Sequence, residues 1–175
     1  VFGRGDWNDT LDYIGGKAGA ERGWGGRFYV AMRPRLLELL EFLKIAARHS
    51  GVRALRDRLA GAVEKFTWDG EWYIRAFGEG ERKIGSSGNR FGKIFINTQS
   101  WAVIAGLPDR GRLVQAMDSV AERLDTPYGP KICAPAFREI DPTIGLITRC
   151  VPGKKENGAV FCHPAAWVIQ AECLL

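Results

Sequence analysis

Two carboxylates flank an indole and an amide near the start of the chain, in the tetrapeptide Asp6-Trp7-Asn8-Asp9. A carboxylic acid can protonate a glycosidic oxygen, and an aromatic face can pack on the apolar face of a pyranose. The amide and the second carboxylate can hold sugar hydroxyls by directional hydrogen bonds. The same tetrapeptide is also typical of an N-cap followed by a first helical turn. It therefore indicates either a sugar-acting acid or the start of a helix.

A second polar stretch, residues 152–163, runs directly into Pro164 and the apolar segment 165–175. Proline suits the first helical position, so we expect a helix to begin at Pro164 with His163 at its N-terminus. Unpaired backbone N–H groups and the positive end of the helix dipole favour an anion there, and an imidazole can add a hydrogen bond. A capping or core histidine is the alternative interpretation of His163.

Between these two stretches the chain carries several runs of unusual composition. They are Trp68-Asp69-Gly70-Glu71-Trp72-Tyr73-Ile74-Arg75-Ala76, Lys83-Ile84-Gly85-Ser86, residues 92–103 and Ala116-Met117-Asp118-Ser119-Val120. Taken together and in this order, the motifs resemble the inverting disaccharide phosphorylases of the cellobiose and chitobiose phosphorylase family, glycoside hydrolase family 94. The resemblance covers nearly the whole chain.

The resemblance implies a role for each matching residue. Asp9 corresponds to the general acid, and Trp7 lines the subsite for the donor sugar. Glu156 contacts the sugar that is released, with Lys155 alongside it, and His163 binds phosphate. Two further residues complete the candidate substrate-binding set, Asp6 and Gln99.

Some of these assignments have a structural alternative. Asp6 and Asn8 can equally serve only to shape the turn that carries Asp9. Gln99 and Trp101 fall on a predicted helix, where either a cavity-facing or a core position suits them. For these residues the sequence leaves both interpretations open.

The implied chemistry needs one carboxylic acid. Phosphate is already an anionic nucleophile, whereas an inverting hydrolase needs a second carboxylate about 6.5–9.5 Å from the acid to activate water. Asp9 must be protonated when the bond breaks, and a neighbouring phosphate dianion favours the neutral carboxylic acid. The expected reaction is a reversible phosphorolysis of a β-linked, cellobiose-like disaccharide to an α-sugar 1-phosphate and a free acceptor, with inversion.

Other functions remain open at this point. An inverting glycoside hydrolase on the same fold and a non-catalytic carbohydrate-binding module are the alternatives from other classes. The positive charge of Arg149 and Lys154 suits an acidic acceptor such as gluconate, so cellobionic acid is an alternative to cellobiose, unless both side chains are simply solvated. Chitobiose and laminaribiose also remain as substrates.

Composition is compatible with this prediction without selecting it. The chain has 175 residues, 46% of them hydrophobic, and a formal charge of +5 that is dispersed along expected helix surfaces. We therefore expect neither nucleic acid nor a membrane as a partner, and no run reaches the roughly 18 apolar residues of a membrane span. The expected partners are a disaccharide and phosphate, and the resemblance implies a homodimer for the parent enzyme.

The four cysteines, Cys133, Cys150, Cys162 and Cys173, include no CxxC pair. Reduced thiols in a cytoplasmic protein are the ordinary interpretation, and a zinc site built from Cys150, Cys162 and His163 is disfavoured. We expect no cofactor and no metal, since inorganic phosphate is itself a substrate.

Apolar periodicity predicts a mainly helical chain. Helices are expected over roughly 28–49, with a kink or restart at Pro34, and over 52–66, then from an N-cap at Asn97 to Ala105 and after Pro108. Short strands are expected at 72–77, where apolar and other residues alternate, and near Ile132. Long loops are expected at 78–92 and 126–153.

Helix pairs joined by unequal loops indicate stacked α-hairpins, and the family resemblance implies part of an (α/α)6 toroid, the six-hairpin barrel, with long loops and short β pieces. The chain starts without Met on the catalytic motif and ends in mid-pattern at Leu174-Leu175. We therefore expect residues 1–175 to be a fragment of one catalytic domain that lacks an N-terminal β-sandwich and the rest of the barrel. Such a fragment is expected to be inactive alone.

Overall fold

A computed structural model of the chain describes residues 7–14, 21–45 and 49–175, with backbone alone at 21–24 and 49. These residues are mainly helical. The helices are α1 (Gly23–Phe42), α2 (His49–Thr67), α3 (Ile96–Ile104), α4 (Arg110–Leu124) and α5 (Cys162–Leu174). The strands are β1 (Glu21–Arg22), β2 (Ala76–Phe77), β3 (Lys83–Ile84), β4 (Ile94–Phe95) and β5 (Cys133–Ala134).

The strands form two small antiparallel sheets that fix loops against the helices. In the first sheet, of order β1-β2-β3, Ala76 pairs with both Arg22 and Ile84. In the second, β4 pairs with β5, so that Ile94 lies opposite Ala134. β4 leads directly into α3, and this second sheet therefore ties the long loop after α4 to the start of α3.

Helix α3 lies at the centre of the described structure and packs against α1, α4 and α5, while α1 also packs against α2. It is buried from Ile96 to Val103 although four consecutive residues in it are polar. Burying a polar group without a hydrogen bond is costly, and each of the four makes at least one. Their partners include the C=O of Phe95 and Ile96, the backbone of Tyr73 and the side chain of Asn8.

The second, fourth and fifth helices confirm the sequence periodicity, but α1 differs from its prediction. It begins five residues earlier than expected and ends at Phe42, and Pro34 lies inside it without starting a new helix. The end is set by Lys44, which has φ 56 and donates its N–H to the C=O of Glu41. Because no glycine marks this left-handed position, apolar spacing alone extended the helix too far. Ala47 lies outside the described residues.

Two local predictions around α3 are wrong. Asn97 does not cap the helix, since the capping position is Phe95 and Asn97 instead donates its side-chain N–H to Asn8. The strand expected at 72–77 forms only at Ala76–Phe77, and the alternation of residue types there does not mark an exposed face, because residues 72–76 are all buried. Tyr73 there packs against Trp68 while its backbone bonds to α3, so both faces of the segment are covered.

The apolar stripe of α1 is only partly covered by the described residues. Leu40 is buried, but Leu39 and Leu43 are 51% and 52% exposed. The closed (α/α)6 toroid stays a prediction, since five helices are consistent with part of it without forming it. None of the helices in the described ranges is both long enough and apolar enough for a membrane span.

Gln99→Met tests the link between α3 and the segment before β2. The substitution keeps the side-chain size but leaves the N–H and C=O of Tyr73 without their partners. An unsatisfied buried group costs about 1–3 kcal/mol, so we expect the free energy of unfolding to fall by about 2–5 kcal/mol in urea titrations. Gln115→Met, at an exposed position on α4, is the control and is expected to change it by less than about 0.5 kcal/mol. Equal effects of the two substitutions would contradict this role.

Candidate functional site

The turn at residues 7–12 is held by polar contacts beneath it. The N–H of Leu11 donates to the C=O of Asn8 at 3.0 Å, which closes the turn. Asn8 is 1% exposed, and its Oδ1 accepts from Arg75 Nη2 at 3.0 Å and from Asn97 Nδ2 at 2.9 Å. These contacts explain Asn8 as a residue that shapes the turn. Asp9, the next residue, is exposed.

Two buried cations lie near this turn. Arg75 is fully buried beside Asn8, and Arg27 on α1 is also fully buried, stacks over the ring of Tyr73 at 4.8 Å and donates to Thr67. The pKa of Arg27 is lowered to about 9, mainly by burial and also by the charge of Arg75, while Tyr73 and Glu64 oppose the shift. Burial also raises the pKa of the Tyr73 phenol, together with its hydrogen bond to Glu64.

Glu156 connects the turn to the opposite end of the chain. Its Oε2 accepts hydrogen bonds from the backbone N–H of Thr10 at 3.0 Å and from the Thr10 hydroxyl. Among the described residues, Oε1 of the same carboxylate has no hydrogen-bond donor. One oxygen of Glu156 thus fixes the position of the residue after Asp9, and the other can accept from a ligand.

The loop that contains Gly145 supports the other side of the turn. Asp12 Oδ1 accepts from the N–H of Leu146 at 2.8 Å, and the C=O of Thr10 accepts from the N–H of Ile147 at 2.8 Å. Gly145, with φ 128, lets the loop approach this closely, because a Cβ there would lie 2.2 Å from Asp12 Oδ1. Next to this contact is a cavity of about 230 Å³ lined by Asp12, Tyr13, Pro142, Gly145, Leu146 and Arg149.

The loop that carries Lys155 and Glu156 is rigidly folded. Asn157 is fully buried, and its side chain bonds to the backbone of Phe137 and to the C=O of Cys150. Lys155 takes a left-handed conformation, φ 49, and its side chain is exposed. Glu156 therefore points inward to the turn, while Lys155 faces solvent beside it.

Trp7 and His163 meet although 156 positions separate them. The indole N–H of Trp7 donates to Nδ1 of His163 at 3.0 Å, and the two ring centroids are 5.3 Å apart. Trp7 also makes edge contacts with Phe161 and Trp167, and Trp167 lies 4.5 Å from the imidazole centroid. Trp7 is two residues before Asp9, so the contact joins the start of the turn that contains Asp9 to the beginning of α5.

Helix α5 begins two residues earlier than predicted, at Cys162, so His163 is the second helical residue and Pro164 the third. His163 is exposed. Proline has no N–H, which leaves the backbone N–H groups of Cys162 and His163 and the imidazole as the donors of this helix end. These donors and the helix dipole can bind an anion.

Other predicted site residues lie elsewhere. The structure contradicts Gln99 as a sugar ligand, because its side chain is fully buried and bonds to the backbone of Tyr73 and Phe95. Trp101 is a core residue that packs between Phe28 and Trp167. Asp6 lies outside the described residues. No group of three or more His, Cys, Asp or Glu side chains that could hold a metal ion occurs in the described part of the chain.

Sequence reasoning missed several residues that build the site. Trp167 had a signal, since it lies one helical turn after His163 and faces the same side. Arg75 had a weaker sequence signal, because it is a charged residue within the otherwise uncharged run 72–77. Thr10 and Gly145 had none, because their partners are far away in the sequence.

Comparison with known proteins identifies the family to which this chain belongs. A family model described as the catalytic domain of the glycosyl hydrolase 94 superfamily matches residues 1–175. The chain belongs to this family, in agreement with the resemblance seen in its motifs.

Individual relatives align with nearly the whole chain at moderate sequence identity. The solabiose phosphorylase of Paenibacillus borealis is 36% identical over 174 residues, 97% of this chain and 22% of the relative. The 3-O-beta-D-glucopyranosyl-beta-D-glucuronide phosphorylase of the same organism is 33% identical, over 99% of this chain and 22% of the relative. The N,N'-diacetylchitobiose phosphorylase of Vibrio proteolyticus is 35% identical, over 98% and 21%. The chain thus spans about a fifth of the length of these relatives.

Gly145→Ala tests the support of the turn. A side chain here would clash with Asp12 and Thr10 and would strain a backbone conformation that only glycine adopts readily. We expect a loss of about 2–4 kcal/mol in the free energy of unfolding. Gly61→Ala is the control, since α2 has open space there, and it should stabilise the protein by about 0.5–1 kcal/mol. Unchanged stability of Gly145→Ala would contradict the role of this loop.

Proposed function

We propose that the protein carrying this chain is an inverting disaccharide phosphorylase that converts a β-linked, cellobiose-like disaccharide and phosphate into an α-sugar 1-phosphate and a free acceptor. Asp9 is the general acid, and Trp7 lines the donor subsite. His163, with the N-terminus of α5, binds phosphate. Glu156 and Lys155 contact the released sugar. Membership of the family and the printed activities of the relatives support phosphorolysis as the reaction.

One observation carries this proposal, the contact between Trp7 and His163. It brings the turn that bears Asp9 next to the anion-binding end of α5. An inverting phosphorolysis needs this juxtaposition, because the acid must reach the glycosidic oxygen while phosphate approaches the anomeric carbon from the opposite face. A binding module would have no need for an exposed acid beside an anion site.

The steps balance in protons and charge. Asp9 gives its proton to the glycosidic oxygen as the bond to the anomeric carbon breaks, and the acceptor leaves as a neutral alcohol. A phosphate oxygen forms the new bond to that carbon, which inverts its configuration. The helix end and the imidazole stabilise the phosphate charge by preorganised donors. In synthesis the Asp9 carboxylate takes the proton back from the acceptor hydroxyl.

Asp9→Asn tests the general acid. We expect kcat for phosphate release from glucose 1-phosphate or N-acetylglucosamine 1-phosphate, with an acceptor present, to fall about 10²–10⁴-fold, while sugar 1-phosphate affinity is kept. Asp118→Asn, at an exposed position of α4, is the matched control and should retain activity. Product analysis of the wild-type protein must yield a sugar 1-phosphate. Free sugar from both units, formed without phosphate, would identify an inverting hydrolase and overturn the proposal.

An acidic acceptor is a second candidate substrate. Arg149 lines the cavity next to the turn that bears Asp9, and one relative is named for a glucuronide substrate. A guanidinium can hold a carboxylate by paired, charge-assisted hydrogen bonds. We therefore propose that Arg149 selects a uronate or gluconate acceptor if this cavity receives the acceptor sugar.

Arg149→Met tests the acceptor. With gluconate or glucuronate as acceptor we expect kcat/KM to fall about 10-fold to 100-fold, as for a lost charge-assisted hydrogen bond, and with glucose to stay within about twofold. Lys154→Met, another exposed cation of the same region, is the control. Equal effects on acidic and neutral acceptors would rule out a carboxylate-binding role for Arg149.

A further inference from the structure

We propose that Trp7 is a positioning residue for phosphate, which holds the His163 imidazole in the tautomer and orientation that place an N–H donor at the anion site. The inference rests on the proposed phosphate role of His163 and assigns Trp7 a second task besides lining the donor subsite. It follows from the hydrogen bond between the indole N–H and Nδ1.

The chemistry of the two rings determines the tautomer. An indole N–H can only donate, so Nδ1 of His163 must accept and therefore carries no proton. A neutral imidazole with an unprotonated Nδ1 has its proton on Nε2. Among the described residues Nε2 has no hydrogen-bond partner. The ring thus presents a donor, and not an acceptor, to a ligand at its outer edge.

Ring contacts keep this donor in place. Trp167, one turn further along α5, lies 4.5 Å from the imidazole centroid, and Trp7 contacts its edge at 5.3 Å. A histidine on an exposed helix end would otherwise sample a flipped ring, which directs a C–H at the phosphate, and the other tautomer, which directs a lone pair at it. Trp7 removes these states, so that less ordering is needed when phosphate binds.

Trp7 also couples the binding of the sugar to the binding of phosphate. Under the proposed function, a donor sugar packed on the indole of Trp7 would hold the same ring that orients His163. Sugar and phosphate binding are therefore expected to support each other through Trp7, since a ligand that fixes one side reduces the ordering cost of the other.

The central experiment measures binding of inorganic phosphate to the whole protein without sugar, by calorimetry. Trp7→Phe keeps an aromatic ring but removes the donor, and we expect phosphate affinity to fall about threefold to tenfold, as for one lost hydrogen bond. In steady-state phosphorolysis the KM for phosphate should rise by a similar factor. Trp68→Phe, whose ring contacts Tyr73 and not His163, is the control and should bind phosphate within about twofold of wild type.

Two variants of His163 distinguish the loss of an oriented N–H donor from a general disturbance of the phosphate site. His163→Gln places an amide N–H near the Nε2 position and should retain more phosphate affinity than His163→Asn, whose amide replaces the Nδ1 side. Adding Trp7→Phe to His163→Gln should have no further effect, because the accepting Nδ1 is gone. An equal further loss in the double variant would show that Trp7 acts through something other than His163.

A spectroscopic measurement on the wild-type protein keeps the inference testable if Trp7→Phe fails to fold. The ¹⁵N shifts of the His163 imidazole, assigned by comparison with His163→Gln, should show an unprotonated Nδ1 and a protonated Nε2. A protonated Nδ1, or wild-type phosphate affinity in folded Trp7→Phe together with weak binding in His163→Asn, would overturn the positioning role alone. Unchanged affinity in His163→Asn as well would overturn it together with the proposed phosphate site.

Discussion

A buried helix with four consecutive polar residues, α3, constrains the packing of the rest of the described structure. The side chains of α3 must find hydrogen bonds, since water does not reach them, and they find them in segments that are distant in sequence. Gln99 bonds to the backbone of Tyr73, and Asn97 reaches Asn8 in the turn before Asp9. The need to satisfy this helix therefore positions the turn that bears the acid.

The turn is fixed from three directions, and each contact joins distant parts of the chain. Arg75 and Asn97 bind its base, Glu156 binds Thr10, and the loop at Gly145 binds Asp12. These partners bind the neighbours of Asp9, while Asp9 itself is exposed. Under the proposed function, a turn preorganised in this way would let the carboxyl of Asp9 meet the glycosidic oxygen without being reordered.

Sequence patterns predicted the elements better than the contacts between them. Stripes such as Leu113, Met117 and Val120 encode a helix locally, so a helix after Pro108 was predicted, and the structure adds Asp109 as its N-cap. The site motifs at Trp7 and His163 were recognised from residue types, and their meeting became visible only in three dimensions. Gln99 was misjudged because a polar side chain on a helix looks the same in sequence whether it faces a ligand or a buried backbone.

The proposed site assigns the chemistry and the choice of acceptor to different segments of the chain. This division explains how one family can include phosphorylases named for different disaccharides. Trp7 joins the turn that contains Asp9 to His163, so under the proposed function a change in the acid, the donor subsite or the anion ligand is expected to disturb the other two. Arg149 and the cavity next to Asp12 lie in an irregular loop that holds the turn by backbone contacts, which a different side chain at 149 would leave intact. Acceptor choice can therefore vary in that loop while the chemistry at Asp9 stays the same.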